Sequence, residues 1–563
     1  MYKKITAALL AMAFVFGGTA LPSALTPLNT AVTASAEEFT SGDFTCVVQR
    51  DGTIEIKNYN GSDTHVTIPA EVDGKAVTTI GGCAFRDCFD VEEIDIPAGI
   101  TDFGEDAFSD TKWLRNKRKE DPMVVVNGVL IDAKECPEKA EVPDGVTKIG
   151  CYAFRDTDVT RIFIPESVTA IDDGAFFGCT ALKRAVVPDT VESIGIGIFF
   201  DCTALESVVL PNGLTEISDN TFCGCKALKG AAIPSTAEKI GVGAFRSCTS
   251  ITDINIPSGV KNIGAYAFSE CSALEEITIP EGVTEIGEQT FSECTALERV
   301  TLPDSVESIS KDIFYNCTAL ESVVLPDHIT EIPLHAFYGC TALKDAAIPS
   351  TVEKIDEYAF FHCESITNIN IPSGVKNIGA YAFSECSALE EITIPEGVTE
   401  IGEQSFSECT ALKRVTLPDT LETIGLEAFF DCNDLERINI PKNVTTIGEC
   451  ALGQYHIDAE LIYCPNFVMY CYENTAGHRY AEEVGLNYEL LDKKEPVDEP
   501  AHLKADINHD GQVDVTDLMA VAAHVKGIRP LEEPDIADVN GDGDVNITDL
   551  SAIAAHVKGI RAL

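Results

Sequence analysis

Phenylalanine returns every 23 residues through the middle of this chain: Phe176, Phe199, Phe222, Phe245, Phe268, Phe291, Phe314, Phe337, Phe360, Phe383, Phe406 and Phe429. Phe85, Phe108 and Phe154 carry the series upstream. Three residues after each member of the main series stands a cysteine, from Cys179 to Cys432. A fixed period of this size constrains the fold more than any local propensity. It means stacked units, each too small to bury its own apolar face, that share one continuous core.

A typical unit, CSALEEITIPEGVTEIGEQTFSE at residues 271–293, shows how one coil is built. The run LEEITIP points Leu274, Ile277 and Ile279 to one side, as a half-buried strand requires. Pro280 and Gly282 turn the chain, and VTEIG makes a second short extended segment. Parallel strands stack about 4.8 Å apart, so about fifteen coils predict a solenoid roughly 70 Å long. A longer repeat lies over the short one: VKNIGAYAFSECSALEEITIPEGVTEIG at Val260 returns at Val375, an offset of 115 residues or five coils. Duplication of that kind favours reach or multivalency over one bespoke pocket.

This pattern resembles the BspA-like leucine-rich repeats of bacterial surface proteins. The segment WLRNKRKEDPMVVVNGVLID from Trp113 is similar to that family's insertion between coils. TIEIKNYNGSDTHVTIP in front and AGHRYAEEVGLNYELL behind resemble its caps. Caps are expected, because an uncovered end coil exposes apolar surface and unpaired strand edges. The position after the strand leucine runs Lys183, Glu206, Lys229, Thr252, Glu275, Glu298, Glu321, Lys344, Thr367, Glu390, Lys413, Glu436. These outward residues vary and mix signs, which serves solubility or selects a protein partner.

The last sixty residues carry two twelve-residue loops, DINHDGQVDVTD at 506–517 and DVNGDGDVNITD at 538–549. Oxygen donors fall at positions one, three, five, seven, nine and twelve with glycine at six, the spacing that wraps a chain around a hard cation such as calcium. The expected ligands in the first loop are Asp506, Asn508, Asp510, the carbonyl of Gln512, Asp514 and Asp517. In the second they are Asp538, Asn540, Asp542, the carbonyl of Asp544, Asn546 and Asp549, so the chain would hold two calcium ions. Each loop runs into nearly the same apolar helix, ended by Gly527 or Gly559.

With aspartate at position twelve and one helix after each loop, residues 503–563 resemble a type I-like dockerin, the module that plugs proteins into scaffoldin cohesins. The resemblance implies cohesin contacts at Val515, Thr516, Ala522, Ala523, His524 and Lys526. In the second copy the matching positions are Ile547, Thr548, Ala554, Ala555, His556 and Lys558. Many dockerins carry Ser-Thr at positions ten and eleven, where this chain has Val-Thr and Ile-Thr. Near identity of the two copies would let either helix dock, in orientations related by a half turn.

Composition narrows the partners. A net charge of −51 repels phosphate backbones and anionic bilayers, so nucleic acid and membrane insertion are not expected. Lys3 and Lys4 precede an apolar stretch that ends in TASAEE, a secretory signal cleaved after Ala36. The domain order is then signal peptide 1–36, repeat solenoid with caps 37–490, a charged, proline-containing linker 491–502, and dockerin 503–563.

Most of the 21 cysteines recur in register, which reads as a buried thiol ladder rather than a disulfide framework; Cys464 and Cys471 are left as a possible pair. No CxxC pair with histidines suggests zinc, and no catalytic constellation stands out. With Trp113 the only tryptophan and most phenylalanines assigned to the core, the body lacks a ring-stacking platform for sugars.

The expected fold is a leucine-rich-repeat solenoid of short parallel strands followed by a small all-α dockerin with two calcium loops. The expected function is that of a secreted, non-enzymatic, cellulosome-associated protein, extracellular or held at a cell surface through a cohesin. Its repeats would bind an unknown protein or cell-surface ligand. The alternatives are a free surface adhesin or host-interaction protein and, third, an accessory protein with polysaccharide-degrading activity.

Overall fold

The structure is a computed structural model. It describes residues 38–457, 460–464 and 466–492, and then 505, 507, 513, 515–526, 531, 537–539 and 544–557. The signal segment and most of the linker lie outside the described residues. The chain forms two compact units, residues up to 236 and residues from 237 on.

The first unit opens with a cap in which strands Glu38–Ser41, Phe44–Val48 and Ile54–Tyr59 pair antiparallel. From Ile54–Tyr59 onward the pairing turns parallel, first to Lys75–Ile80 and then to Asp102–Phe103. The insertion follows. Thr111 accepts the Leu114 N–H (3.1 Å) and so caps helix Lys112–Glu120, and Val124–Val126 and Val129–Asp132 form a hairpin. Arg118 ties helix to hairpin by forking onto Asp132, with both contacts at 2.7 Å.

Beyond the insertion most coils contribute two strands. Three-residue strands Lys139–Glu141, Arg161–Phe163, Arg184–Val186 and Ser207–Val209 form one parallel ladder. Two-residue strands Lys148–Ile149, Ala170–Ile171 and Ser193–Ile194 form the other. The three-residue strands stay this short because a proline stands two residues after each one, and a turn such as Val146 N–H to Pro143 O (3.2 Å) follows at once. In the three-residue strands only the middle side chain is buried: Ala140, Ile162, Ala185 and Val208.

The second unit repeats this plan. Glu276–Thr278, Arg299–Thr301 and Ser322–Val324 pair in register, as do Asn377–Ile378, Glu400–Ile401 and Thr423–Ile424. The rear cap adds Arg437–Asn439, Val468–Cys471 and Asn487–Leu490 in parallel, with helix Ala476–Val484 laid against them. That helix ends at Gly485, whose φ of 82° suits a residue without Cβ.

The core is the phenylalanine column. Rings from Phe245 to Phe429 stack one coil apart with centroids 5.1 to 5.9 Å from each other, and those from Phe154 to Phe222 do the same in the first unit. Beside it runs the thiol column. Cys271 Sγ donates to Phe245 O (3.2 Å), Cys294 to Phe268 O (3.1 Å), and the pattern continues to Cys432 and Phe406 O (3.2 Å). Each thiol thus satisfies a buried carbonyl of the preceding coil, which a bare methyl could not do. Burial drives the Cys294, Cys317 and Cys409 thiols far above their ordinary range and pushes Cys386 to about 12. All cysteines of the described residues are free thiols, Cys464 and Cys471 included.

Candidate calcium module and the outward face of the coils

Helices Val515–Val525 and Ile547–Val557 pack on each other around Ala505, Val521, Ala537 and Ile553. Asp517 and Asp549, the twelfth residues of the two loops, sit in the first turns of these helices with no solvent exposure. Asp517 Oδ1 accepts the Ile507 N–H (2.7 Å), and Asp549 Oδ2 accepts the Asn546 N–H (3.1 Å). Helix N-termini favour a carboxylate, but full burial of an ionised one calls for a counter-charge. Two buried carboxylates at the same step of two oxygen-rich loops fit a hard divalent cation.

Asn546 at position nine doubles as a cap: its Oδ1 accepts from Thr548 N–H (2.9 Å) and Thr548 Oγ1 (2.8 Å). Its Nδ2 donates to Asp544 O (3.0 Å), the position-seven carbonyl. Asp538 is half-buried. Asp506, Asn508, Asp510, Gln512, Asp514, Asn540, Asp542 and Lys558 lie outside the described residues.

Of the expected cohesin contacts, Val515, Thr516, Lys526, Ile547 and Thr548 are exposed, while Ala522, Ala523, Ala554 and Ala555 are half-buried. His524 Nδ1 accepts the Leu531 N–H (3.0 Å), so this ring also holds the segment after its helix. His556 stands in the second helix, its side chain outside the described set. Met519, 66% exposed, was not expected; it lies one turn after Val515 and extends the same face. An apolar residue four positions after Val515 was the available signal. The second copy has Ser551 there, so the copies differ where they are most exposed.

On the coils, outward charges meet their opposites one coil away. Arg299 reaches Glu276 (3.0 Å), Lys344 reaches Glu321 (2.8 Å), Lys376 reaches Glu353 (2.8 Å) and Arg414 pairs with Glu391. A second aromatic row, absent from the sequence reading, joins Tyr315, Tyr338 and Phe361 at 4.6 and 4.8 Å, with Tyr358 on Tyr381 at 4.5 Å. These half-buried rings stack face to face on one another, so the faces between neighbours are already covered.

Residues 54–120, 134–251, 215–344 and 330–458 match the BspA type leucine-rich repeat region, in 6 copies. The chain belongs to the BspA-type leucine-rich repeat family. Residues 504–558 match the dockerin type I domain. No curated protein matches. Among solved structures, a leucine-rich repeat protein from Bacteroides ovatus is similar at 28% identity, covering 72% of this chain and 95% of that one, with a TM-score of 0.51. A leucine rich cell surface protein from Faecalibacterium prausnitzii is also 28% identical over 68% and 95% of the two chains, with a TM-score of 0.36. Dockerin type I domains generally bind calcium, and they imply a cohesin partner as the repeats imply protein binding. Both are typically non-catalytic and typical of extracellular or surface proteins. Among the described residues no helix is long and apolar enough to cross a membrane.

Proposed function

We propose that this chain is a secreted, non-catalytic component of a cellulosome-like assembly. In this reading residues 1–36 direct export, 37–490 form the recognition solenoid, 491–502 are a linker and 503–563 dock into a scaffoldin cohesin. The dockerin match over 504–558, together with the buried Asp517 and Asp549, is what supports it. Two calcium ions, one per loop, would neutralise carboxylates that otherwise repel one another, so folding and cohesin binding are coupled to the ion. Asp506, Asn508, Asp510, Asp514 and Asp517 would hold the first ion with the carbonyl of Gln512. Asp538, Asn540, Asp542, Asn546 and Asp549 would hold the second with the carbonyl of Asp544.

Val515, Thr516 and Lys526 with Met519, or Ile547 and Thr548 in the second copy, form the face offered to the cohesin. Near duplication of the helices allows docking through either one. The repeats carry a protein or cell-surface ligand. Asp506→Ala combined with Asp538→Ala is expected to abolish cohesin binding in a calorimetric titration. Undiminished binding in excess chelator would overturn the calcium-dependent reading.

A further inference from the structure

One stretch of the first unit departs from the cross-coil charge pairing seen at Arg299 and Arg414. The first residues of three consecutive strands are Lys139, Arg161 and Arg184, and the ladder places them directly opposite one another. All three are exposed, and among the described residues none of them is ion-paired. Like charges stacked in register repel. In the second unit the equivalent Arg299 and Arg414 each face a glutamate one coil earlier.

The third residues of the last two of these strands and of the next one, Ser207–Val209, form a second column, staggered by one coil. Phe163, Val186 and Val209 are 60%, 57% and 55% exposed, and Val186 is registered on Val209. The three-residue strands of the second unit place Thr278, Thr301, Thr393, Thr416 and Asn439 at this position, Val324 being the apolar exception. A stacked cation column beside an exposed apolar column is disfavoured twice over, by like-charge repulsion and by apolar exposure, unless something covers it. Glu138 and Glu141 border it on the first coil and Glu206 on the last; each column is three coils long, and the two overlap on the coils of Arg161 and Arg184.

We infer that this double column docks an acidic amphipathic helix of a partner protein, laid along the direction in which the coils stack. The inference rests on the reading that the repeats bind protein, and it names the partner's chemistry. Adjacent strands lie about 4.8 Å apart, close to the helix pitch of about 5.4 Å. A helix with carboxylates on one ridge and leucine-sized residues on the next therefore stays in step over three rungs. An extended strand, with same-side residues about 6.7 Å apart, does not. An acidic polysaccharide matches the cations, but its hydroxyls would lie unpaired on Phe163, Val186 and Val209.

The test uses the full chain in calcium and a stapled synthetic helix of about three turns with a glutamate ridge beside a leucine ridge. Binding is expected at low salt. It should weaken at least about tenfold in Arg161→Glu/Arg184→Glu and, separately, in Phe163→Thr/Val186→Thr, which borrow the threonine of the second unit. Arg299→Glu should change little. No binding of the helix, or binding indifferent to both pairs of substitutions, would overturn the inference. So would tighter binding of polygalacturonate that depends on the arginines alone. Capture of a protein partner elsewhere on the repeats, with the helix unbound, would remove only this face. Absence of any captured protein would remove the protein-binding reading as well.

Discussion

From Cys271 to Cys432 the coils bury thiols that donate to a carbonyl of the coil before, whereas the carboxyl-terminal module buries two carboxylates around a small core of Ala505, Val521, Ala537 and Ile553. In the coils the chain supplies both partners of each buried polar contact, and the stacked phenylalanines add a core that grows with every repeat. In the module the buried groups are carboxyls that accept backbone N–H groups, and burial of a carboxylate is costly unless a cation compensates it. The first region finds its polar partners within the chain; in the function proposed for the second, that role falls to an ion.

Chelation should separate the two most sharply. Excess EDTA is expected to remove the helical protection of Val515–Val525 and Ile547–Val557 in hydrogen exchange, while the amides of the Phe245 to Phe429 column stay protected. Asp517→Ala should act like the chelator even in calcium. Loss of protection in the coils on chelation would erase the distinction. The converse test removes a rung. Phe291 lies 5.9 Å from Phe268 and 5.6 Å from Phe314, so Phe291→Ala opens a gap that neighbours cannot close without breaking register. It is expected to destabilise the coils by about 3–5 kcal/mol in urea titration and to leave calcium binding unchanged.

Both regions announced themselves in the sequence because each is periodic in a chemistry-bearing residue. A phenylalanine and a cysteine recur at fixed phase, and oxygen donors recur at loop spacing. What was hidden lacks such a signal. Gln289, Glu293, Gln404 and Glu408 all adopt positive φ, between 49° and 61°, a region glycine favours. Closure of the coil imposes it two residues before and after each phenylalanine, and only scattered glycines such as Gly178, Gly224 and Gly339 mark the register. The second aromatic row escaped because Tyr358 and Tyr381 share a phase with Gln404 and Glu427, so no residue type recurs there. The cation column on the first unit was hidden because neighbouring coils, not neighbouring residues, decide whether a charge is paired.

Alkaline pH gives a smaller, graded contrast. Burial raises the folded-state thiol pKa, with Cys386 at about 12, while unfolded thiols titrate near 8.5. Between those values the folded state holds more protons than the unfolded one. This stabilisation is therefore complete below about pH 8.5 and lost progressively as pH rises toward 12. The coils' melting temperature should fall over that window. Replacing Cys294, Cys317 and Cys340 together by alanine should flatten the slope between about pH 8.5 and 10, before lysines titrate. An unchanged slope would show that the thiol ladder does not carry it.

The smallest effect tests whether the coils truly supply every partner they need. Ser405 Oγ is a buried polar atom without a hydrogen bond among the described residues. The residue just before the phenylalanine is alanine in most coils, as at Ala267, Ala336, Ala359, Ala382 and Ala428, where no hydroxyl has to be accommodated. Thr290 at the same position does find a partner, donating to Gly287 O (2.7 Å). Ser405→Ala should therefore stabilise the coils by about 1 kcal/mol, since it deletes a desolvated hydroxyl and leaves almost no cavity. Ser405→Thr should match it by reaching Gly402 O as Thr290 reaches Gly287 O. A destabilising Ser405→Ala would mean that the hydroxyl is satisfied after all, and that this rung takes its partner from outside the chain.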